Sequence, residues 1–515
     1  MFIDARTLPD HTTIQADLAI IGGGAAGITL AREFDRSGVR VCVVEAGGLE
    51  GDSRVQALYR GESVGIEYPL EGARLRFLGG SSNHWGGYCR PLDPIDFTER
   101  DWVPYSGWPF AVDEVMPYYP AASEIVQVGE PRYDDPGYWA QITGERLPAP
   151  ATGRMRLQIV QFSPPTKFGQ VYGPQLKRSD NVRVLLNANV VNIAAAKDGG
   201  HVQRLAVRTL DGKRHTVEAR VYVLATGGLE NARMLLLSND VVSAGLGNQN
   251  DLVGRFFMEH PTVTGFGDIV VAGLARIPPL YRERVVAGGR PAQAAFNPSD
   301  AFLREDRLLN ANFMIGVSED YRSDTAPLDK RSEAQVRAQS DMVRAARRFL
   351  ADGDGPVKPQ DPAYYGTRLG IGAACEQAPN PDSRVSLSQQ RDALDLPEIR
   401  LDWRLGEQDW RSLVTHMHSL AQEMGALGMG RMVIQAREGD GWPAEVSGGN
   451  HHMGTTRMSD DPKRGVVDRH ARVHGIANLY VAGSSVFPTC GASNPTLTIV
   501  ALTLRLADHL KQQMK

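Results

Sequence analysis

The stretch "ADLAIIGGGAAGITLAREF", residues 16–34, has the order of a buried strand, a glycine turn and a helix. Leu18–Ile21 form a short apolar run, typical of a parallel strand that is covered on both faces. Gly22, Gly24 and Gly27 make the pattern G-x-G-x-x-G, which combines a tight turn, close approach of a pyrophosphate and close helix–strand packing. The helix N-terminus adds free N–H groups and a positive dipole end. The stretch therefore predicts a phosphate-binding turn.

A second strand, "VRVCVVEAGG" at residues 39–48, follows the helix and ends in Glu45. This acid lies 23 residues after Gly22, close to the spacing at which a carboxylate binds the ribose diol of a dinucleotide. A glycine turn without a ligand is the alternative. The complete order of strand, turn, helix, strand and acid favours dinucleotide binding, although it does not distinguish FAD from NAD.

Two further strands that end in glycine turns come much later in the chain. These strands, with the turn residues that follow them, are Val221–Leu224 with Ala225, Thr226 and Gly227, and Leu479–Ala482 with Gly483 and Ser484. An ordinary strand–helix turn is the alternative for each. Together they favour a nucleotide domain assembled from distant segments, which is common among FAD proteins, whereas NAD domains are usually contiguous.

Four blocks of the sequence resemble the glucose–methanol–choline (GMC) flavoprotein oxidoreductases. The blocks are Ile20–Gly48, Leu78–Arg90, Tyr222–Leu236 and Gly449–Leu510. The last block is the most specific, and it is similar to the pyranose 2-oxidases and the bacterial glycoside 3-oxidases. The resemblance implies an α/β fold (α+β overall), in which a Rossmann-like FAD-binding domain is combined with a substrate domain of sheet and helices.

The resemblance also implies domain boundaries. The FAD-binding domain is expected to be discontinuous, and the expected segments are 1–95, 180–255 and 445–515 for FAD binding, with 96–179 and 256–444 for the substrate domain. In the substrate domain, Glu376 and Gln377 stand where relatives place polar residues near a sugar. Strand residues that face solvent are the alternative for both.

Two parts of the predicted substrate domain have the composition of insertions, residues 267–300 and residues 318–365. Residues 281–300, "YRERVVAGGRPAQAAFNPSD", have the composition of a loop, such as a lid or a contact between copies in a homo-oligomer. Residues 331–355 have the pattern of a charged amphipathic helix that ends in a glycine loop.

The loop "FLGGSSNHWGGYCRP", residues 77–91, lies along the flavin in the family that the chain resembles. The resemblance places five of its residues at the cofactor: Gly79, Gly80, Ser82, His84 and Trp85. His84 matches a position at which several members carry a histidine bonded covalently to the flavin. The alternative is an imidazole that packs beside a non-covalent flavin and hydrogen-bonds a carbonyl group.

The stretch "GGNHHMGTTRM", residues 448–458, contains two adjacent histidines. On extended backbone, His451 and His452 point to opposite faces, and no cysteine or carboxylate cluster with ligand spacing lies nearby, so no metal site is expected. The family pattern H-x-x-G-T places His451 over the flavin. Alcohol oxidation needs such a base, because the hydroxyl proton must leave as a hydride departs from carbon. His452 is expected to make a structural hydrogen bond.

Asn494 precedes Pro495 and Thr496 at the start of an apolar helix, so its simplest role is that of a helix N-cap. The family pattern instead places Asn494 beside the catalytic histidine, where it would hold the substrate oxygen. The dipole of the helix would then favour negative charge on the reduced flavin. The resemblance also implies that Val191, Pro495 and Thr496 contact FAD.

Composition excludes several other classes of function. A net charge of −4 and a pI of about 6.3 give no electrostatic footprint for nucleic acid or an anionic membrane. No apolar stretch is long enough to predict a membrane span, and the N-terminus lacks the pattern of a secretory signal peptide. The four cysteines show no pairing by spacing, which fits a cytoplasmic protein with free thiols.

The sequence therefore predicts an FAD-dependent enzyme that oxidises a secondary hydroxyl, at C2 or C3, of a sugar or glycoside, with O₂ or another acceptor reoxidising the flavin. Two alternatives stay open at this stage. One is the flavin subunit of a quinone- or cytochrome-linked sugar or polyol dehydrogenase. The other is a lyase of the same family, in which FAD is redox-silent.

Overall fold

The computed structural model describes residues 1–263, 267–271, 274–317, 367–437, 439–443 and 446–515. The strands of the N-terminal half, numbered in chain order, are β1 (Phe2–Asp4), β2 (Thr12–Gln15), β3 (Leu18–Ile21), β4 (Val41–Val44), β5 (Gly61–Gly65), β6 (Tyr88–Cys89), β7 (Met155–Phe162), β8 (Val182–Leu186), β9 (Asn189–Ala195), β10 (Val202–Arg208), β11 (Arg214–Glu218) and β12 (Val221–Leu224). Those of the C-terminal half are β13 (Pro261–Val263), β14 (Gly267–Val271), β15 (Val285–Ala287), β16 (Arg290–Pro298), β17 (Ala311–Val317), β18 (Thr367–Cys375), β19 (Arg384–Arg391), β20 (Pro397–Trp403), β21 (Arg431–Ile434), β22 (Ser447–Gly448) and β23 (Leu479–Val481).

The α-helices within these described residues are α1 (Ala25–Glu33), α2 (Ser53–Gln56), α3 (Pro94–Phe97), α4 (Tyr119–Ile125), α5 (Pro136–Thr143), α6 (Phe168–Arg178), α7 (Glu230–Leu237), α8 (Pro279–Arg282), α9 (Asp300–Glu305), α10 (Glu407–Ala426) and α11 (Thr496–Gln513). A short 3₁₀ helix, Gly80–Asn83, precedes His84. None of the helices that are described combines the length and the hydropathy that a membrane span requires.

A six-stranded parallel sheet lies at the centre of the larger apolar core, in the order β1-β8-β4-β3-β12-β23. Every residue of β3 and β4 is buried, as their apolar runs predict. The late strand β12 lies next to β3, and β23 pairs with the far side of β12, so the parallel sheet is assembled from distant segments, as the sequence predicts. Because all these strands are parallel, their carboxyl ends and the turns that follow them meet at one edge of the sheet.

A ten-stranded sheet forms the second large sheet of the structure. Its strand order is β21-β14-β18-β17-β16-β7-β6, and β13, β15 and β22 pair with strands of this path or with each other. Helix α10 packs on one face of this sheet through a separate apolar core. The predicted class of fold, a parallel nucleotide-binding sheet with a second unit of sheet and helices, is therefore confirmed.

The prediction of a loop over residues 281–300 is wrong. The segment forms the β15–β16 hairpin, and β16 pairs with both β7 and β17 in the interior of the ten-stranded sheet. Gly288 and Gly289 make only the hairpin turn, whereas alternate residues of β16 enter the apolar core. The glycines gave the segment its loop composition and obscured the two-residue period of a strand. The predicted insertion at residues 318–365, including its helix, lies outside the described residues.

Two small sheets complete the fold: β2-β11-β10-β9, and β19-β20-β5. The strands β19 and β20 therefore lie outside the ten-stranded sheet. Their partner β5 comes from the N-terminal region and runs parallel to β20. The domain boundaries given above remain a prediction.

Candidate active site

The first glycine turn and Glu45 form one compact unit at the edge of the parallel sheet. The backbone N–H of Gly23 donates to Oε2 of Glu45 at 2.7 Å, and that of Gly47 donates to Oε1 at 2.8 Å. Burial raises the pKa of the Glu45 carboxyl, and these backbone N–H groups oppose the effect. Glu45 is thus fixed at the end of β4, beside the turn.

The three glycines of the motif occupy different environments. Gly22 has a φ of +103°, and a Cβ on Gly27 would lie 1.9 Å from the carbonyl oxygen of Gly22. A Cβ on Gly24, by contrast, would meet no atom within 4 Å among the described residues outside its chain neighbours. The same is true of Gly227, in the turn after β12. The first turn therefore has no space beside Gly27, whereas there is open space beside Gly24 and beside Gly227 in the turn after β12.

The turns after β12 and β23 are tied together by Asn231, which the sequence analysis did not identify. Its Oδ1 accepts from the backbone N–H and the hydroxyl of Thr226, both at 2.8 Å. Its Nδ2 donates to Oγ of Ser485 at 2.8 Å. Ser484 in turn donates its hydroxyl to the carbonyl oxygen of His452 at 2.6 Å. These bonds join the sheet edge to the histidine segment, with Ala225 and Gly483 in the same two turns.

The 77–91 loop packs directly on the first glycine turn. The N–H of Gly79 donates to the carbonyl oxygen of Gly23 at 2.7 Å. Ser82 donates its hydroxyl to the carbonyl of Gly79, and Trp85 donates its indole N–H to that of Thr166. The His84 imidazole is half-buried, burial lowers its pKa, and it makes no side-chain hydrogen bond to any part of the chain that the structure describes.

His451 and Asn494 meet at the N-terminus of α11. Nδ2 of Asn494 lies 3.1 Å from Nε2 of His451. The side chain of Asn494 makes no capping bond, because Pro495 occupies the N-cap position and Thr496 begins the helix. The structure thus places Asn494 beside His451 rather than in the role of a helix cap.

Glu259 and His260, two residues that sequence reasoning missed, contact His451 on the side away from Asn494. Nδ1 of His260 is 3.0 Å from Nδ1 of His451. The backbone N–H of His451 donates to both carboxylate oxygens of Glu259, at 2.6 and 2.8 Å, and the N–H of His260 donates at 3.0 Å. An acid and a histidine inside the apolar run "RFFMEHPTV" were the available signal, since such residues are buried only with specific partners.

Burial shapes the protonation of this group. It raises the pKa of Glu259 to about 7, against the effect of the donors that surround the carboxylate. It lowers the pKa of His260 to about 4. The pKa of His451 lies well below its ordinary value because of burial and of the neighbouring rings of His260 and His452. Both rings that meet at Nδ1 are therefore neutral at neutral pH.

His452 points away from Asn494. Its Nε2 lies 2.8 Å from the hydroxyl of Tyr68, which also donates to Oε2 of Glu259 at 2.6 Å. The two adjacent histidines therefore serve different contacts, as their extended backbone predicts. No group of three or more potential metal-ligating His, Cys, Asp or Glu side chains occurs among the residues that the structure covers.

Two family profiles match the chain. The profile described as "FAD dependent oxidoreductase" matches residues 17–369, and the profile described as "GMC oxidoreductase" matches residues 379–503. The chain belongs to the FAD-dependent oxidoreductases of the GMC family.

Two relatives of this GMC oxidoreductase are distant in sequence but match over nearly their whole length. The fructose dehydrogenase large subunit of Gluconobacter japonicus is 24% identical, over 98% of this chain and 99% of the relative. The C-glycoside 3-oxidase of Microbacterium trichothecenolyticum is 23% identical, over 97% of both chains. Among solved structures, a formate oxidase has the same fold, with a TM-score of 0.56, 17% identity and coverage of 98% of this chain and 99% of that one.

The open glycine positions of this GMC oxidoreductase fit its FAD cofactor. Gly24 and Gly227 leave the space that a pyrophosphate needs to approach backbone N–H groups, and Glu45 offers acceptor oxygens for a ribose. The dinucleotide would therefore lie across the edge of the parallel sheet where these turns meet.

Val191, another residue expected at the cofactor, is half-buried in β9 of the small four-stranded sheet.

The structure gives Glu376 and Gln377 partners within the protein. Both carboxylate oxygens of Glu376 accept from Arg100, at 2.8 and 2.5 Å, in a fully buried pair. Oε1 of Gln377 accepts from the N–H of Glu259 and from the indole of Trp403, each at 3.0 Å. This geometry favours a structural role for both residues rather than the substrate contact suggested by the resemblance.

The variant Glu376→Gln should therefore lose stability. Arg100 would remain buried without its carboxylate, and breaking a buried ion pair in this way costs about 3 kcal/mol. Chemical denaturation measures the effect, and Glu124→Gln, at an exposed position of α4, is the matched control, with a change of about 0.5 kcal/mol or less. A Glu376→Gln variant of unchanged stability with a raised KM would restore the direct substrate role.

Proposed function

We propose that the protein oxidises a secondary hydroxyl of a sugar or glycoside, at C2 or C3 of a pyranose ring, to a ketone. The observation that carries the proposal is the contact between His451 and Asn494, in a segment that the Ser484–His452 hydrogen bond joins to the turn after β23. The match to a C-glycoside 3-oxidase over nearly the whole chain supports the class of substrate.

In this reaction the residues of the chain handle the hydroxyl group. Nε2 of His451 accepts the hydroxyl proton, since its imidazole is neutral and lies within hydrogen-bonding reach of a group bound at Asn494. The amide N–H of Asn494 donates to the substrate oxygen and so orients the carbon that carries the hydroxyl group. FAD, when bound, supplies the acceptor for the two electrons that leave as a hydride. The electron pair of the broken O–H bond becomes the second carbon–oxygen bond of the ketone as the hydride leaves the carbon.

A panel of substrates tests this proposal. Anaerobic addition of D-glucose and of aryl glucosides should bleach the visible flavin band, and NMR of the product identifies the oxidised carbon. A panel in which only primary alcohols or non-carbohydrate alcohols bleach the flavin would overturn the proposed substrate. Bleaching by no alcohol, with bond cleavage of a substrate, would point to the lyase chemistry found in some family members.

A second candidate concerns the electron acceptor. The match to the large subunit of a fructose dehydrogenase favours a dehydrogenase that works with a partner subunit. In that case the electrons would pass to a quinone or a cytochrome. Peroxide formation in air distinguishes the two cases. An oxidase produces about one peroxide per ketone, whereas a partner-linked dehydrogenase reduces an added quinone and forms little peroxide.

We further propose that His84 bonds covalently to the flavin. Its half-buried imidazole has no hydrogen bond within the described chain, although it sits in the loop that packs on the glycine turn. The flavin should therefore stay in the pellet when the protein is precipitated with acid, because a covalent bond survives unfolding. The variant His84→Ala should release FAD into the supernatant. A colourless wild-type pellet would show that the flavin is not covalently bound.

A further inference from the structure

The His260–His451 contact belongs to a chain of four hydrogen-bonding groups. Nε2 of His260 lies 3.3 Å from the carbonyl oxygen of Cys490, and Nδ1 of His260 lies 3.0 Å from Nδ1 of His451. Nε2 of His451 lies 3.1 Å from the amide nitrogen of Asn494. The planes of the two imidazole rings cross at 76°, so the rings meet edge to edge through their nitrogen atoms and do not stack.

The carbonyl at one end of this chain determines where the protons lie. The oxygen of Cys490 can only accept, so Nε2 of His260 must carry a hydrogen. A neutral imidazole carries one N–H, so Nδ1 of His260 has a lone pair and accepts. The hydrogen between the two rings must then belong to Nδ1 of His451. Because His451 is also neutral, its Nε2 has no hydrogen.

The contact at the other end of the chain agrees with this assignment. The amide nitrogen of Asn494 can only donate, so the nitrogen that it meets, Nε2 of His451, must accept. Both ends therefore assign one tautomer to His451, with hydrogen on Nδ1 and a lone pair on Nε2. The opposite tautomer would place two donors against each other at Asn494 and two acceptors against each other at His260.

We propose that His260 is a positioning residue that fixes His451 as the Nδ1–H tautomer and so keeps on Nε2 the lone pair that acts as the base. The role of Nε2 as base rests on the proposed function, whereas the tautomer itself does not. Glu259 keeps the two rings in register, because its carboxylate accepts from the backbone N–H groups of both residues. When Nε2 accepts a proton, the bond from Nδ1 to His260 becomes charge-assisted and stabilises the imidazolium.

Two substitutions of His260 separate this role from simple packing. Asparagine places its side-chain oxygen near the position of Nδ1 and keeps an acceptor for His451. Glutamine places its amide near the position of Nε2 and keeps the bond to Cys490, but not that acceptor. We expect His260→Asn to stay within about tenfold of the wild-type rate of substrate oxidation, and His260→Gln to lose about 10²-fold, mainly in kcat. The reverse order would overturn the proposal and indicate a structural role.

NMR of the FAD-loaded protein labelled with ¹⁵N-histidine tests the tautomer without any substrate. The ring signals of His451 are assigned by their loss in His451→Gln. We expect a protonated Nδ1 and an unprotonated Nε2 in the wild type and in His260→Asn, and a shift towards Nε2–H in His260→Gln. A wild-type His451 with hydrogen on Nε2 overturns the inference even if the variants do not fold. A confirmed tautomer in a protein that oxidises no sugar leaves the inference standing and removes only the proposed function.

Discussion

Replacing His451 by alanine lowers the rate at which substrate reduces the flavin by about 10²–10⁴-fold, the usual contribution of a positioned general base. The hydroxyl proton then has no acceptor at Nε2, and Asn494 alone cannot remove it, because an amide N–H only donates. FAD content should change little, since the hydrogen bonds that fix the turn after β12 and the Glu45 carboxylate do not involve the side chain of His451.

Anaerobic stopped-flow absorbance measures the rate, and the visible spectrum of the purified variant measures FAD content. The matched control is His470→Ala, an exposed histidine of the same C-terminal block that stacks on His509 away from Asn494. The control should reduce its flavin at the wild-type rate. A His451→Ala variant that does so as well would remove His451 from the reaction and, with it, the proposed mechanism.

The parts of the site that the sequence predicts are those built by short-range turn chemistry. The G-x-G-x-x-G turn and Glu45 lie within one strand–helix–strand unit, so spacing alone brings them together. The resemblance to the family identified His451 and Asn494 as candidates. The hydrogen bond between them comes from the structure, since no spacing rule predicts a contact across 43 residues. The sequence therefore predicts which residues form the candidate site, whereas the hydrogen bonds among them come from the fold.

The residues that were missed are held by contacts between distant segments. His260 lies 191 residues before His451, and Asn231 lies 254 residues before Ser485. Neither contact follows from local periodicity, because each depends on how β12, β13 and β23 are placed by the two large sheets. Glu376 depends on the fold in the same way, since a polar residue at a strand end can face a substrate or pair with a buried arginine, and its contact with Arg100 joins segments 276 residues apart.

The variant Gly24→Val should lose FAD while the protein remains folded. Gly24 has φ −82° and ψ −168°, an extended conformation that a β-branched residue adopts readily, and its Cβ direction meets no described atom within 4 Å outside its chain neighbours. The Cβ of valine would therefore meet no obstacle in the protein alone. Its two methyl groups would occupy the space in which a pyrophosphate must approach the N-terminus of α1.

Absorbance of the purified protein measures FAD content, and circular dichroism with thermal unfolding measures the fold. We expect the FAD content of Gly24→Val to fall from stoichiometric to nearly absent, with native secondary structure. Gly425→Ala in α10 is the matched control, because its Cβ also meets open space and helical alanine should add about 1 kcal/mol of stability with FAD retained. Gly27→Ala should instead disrupt the turn itself, since its Cβ would overlap the carbonyl of Gly22. A yellow, fully loaded Gly24→Val protein would mean that the dinucleotide lies elsewhere, and the assignment of this sheet edge to FAD would be wrong.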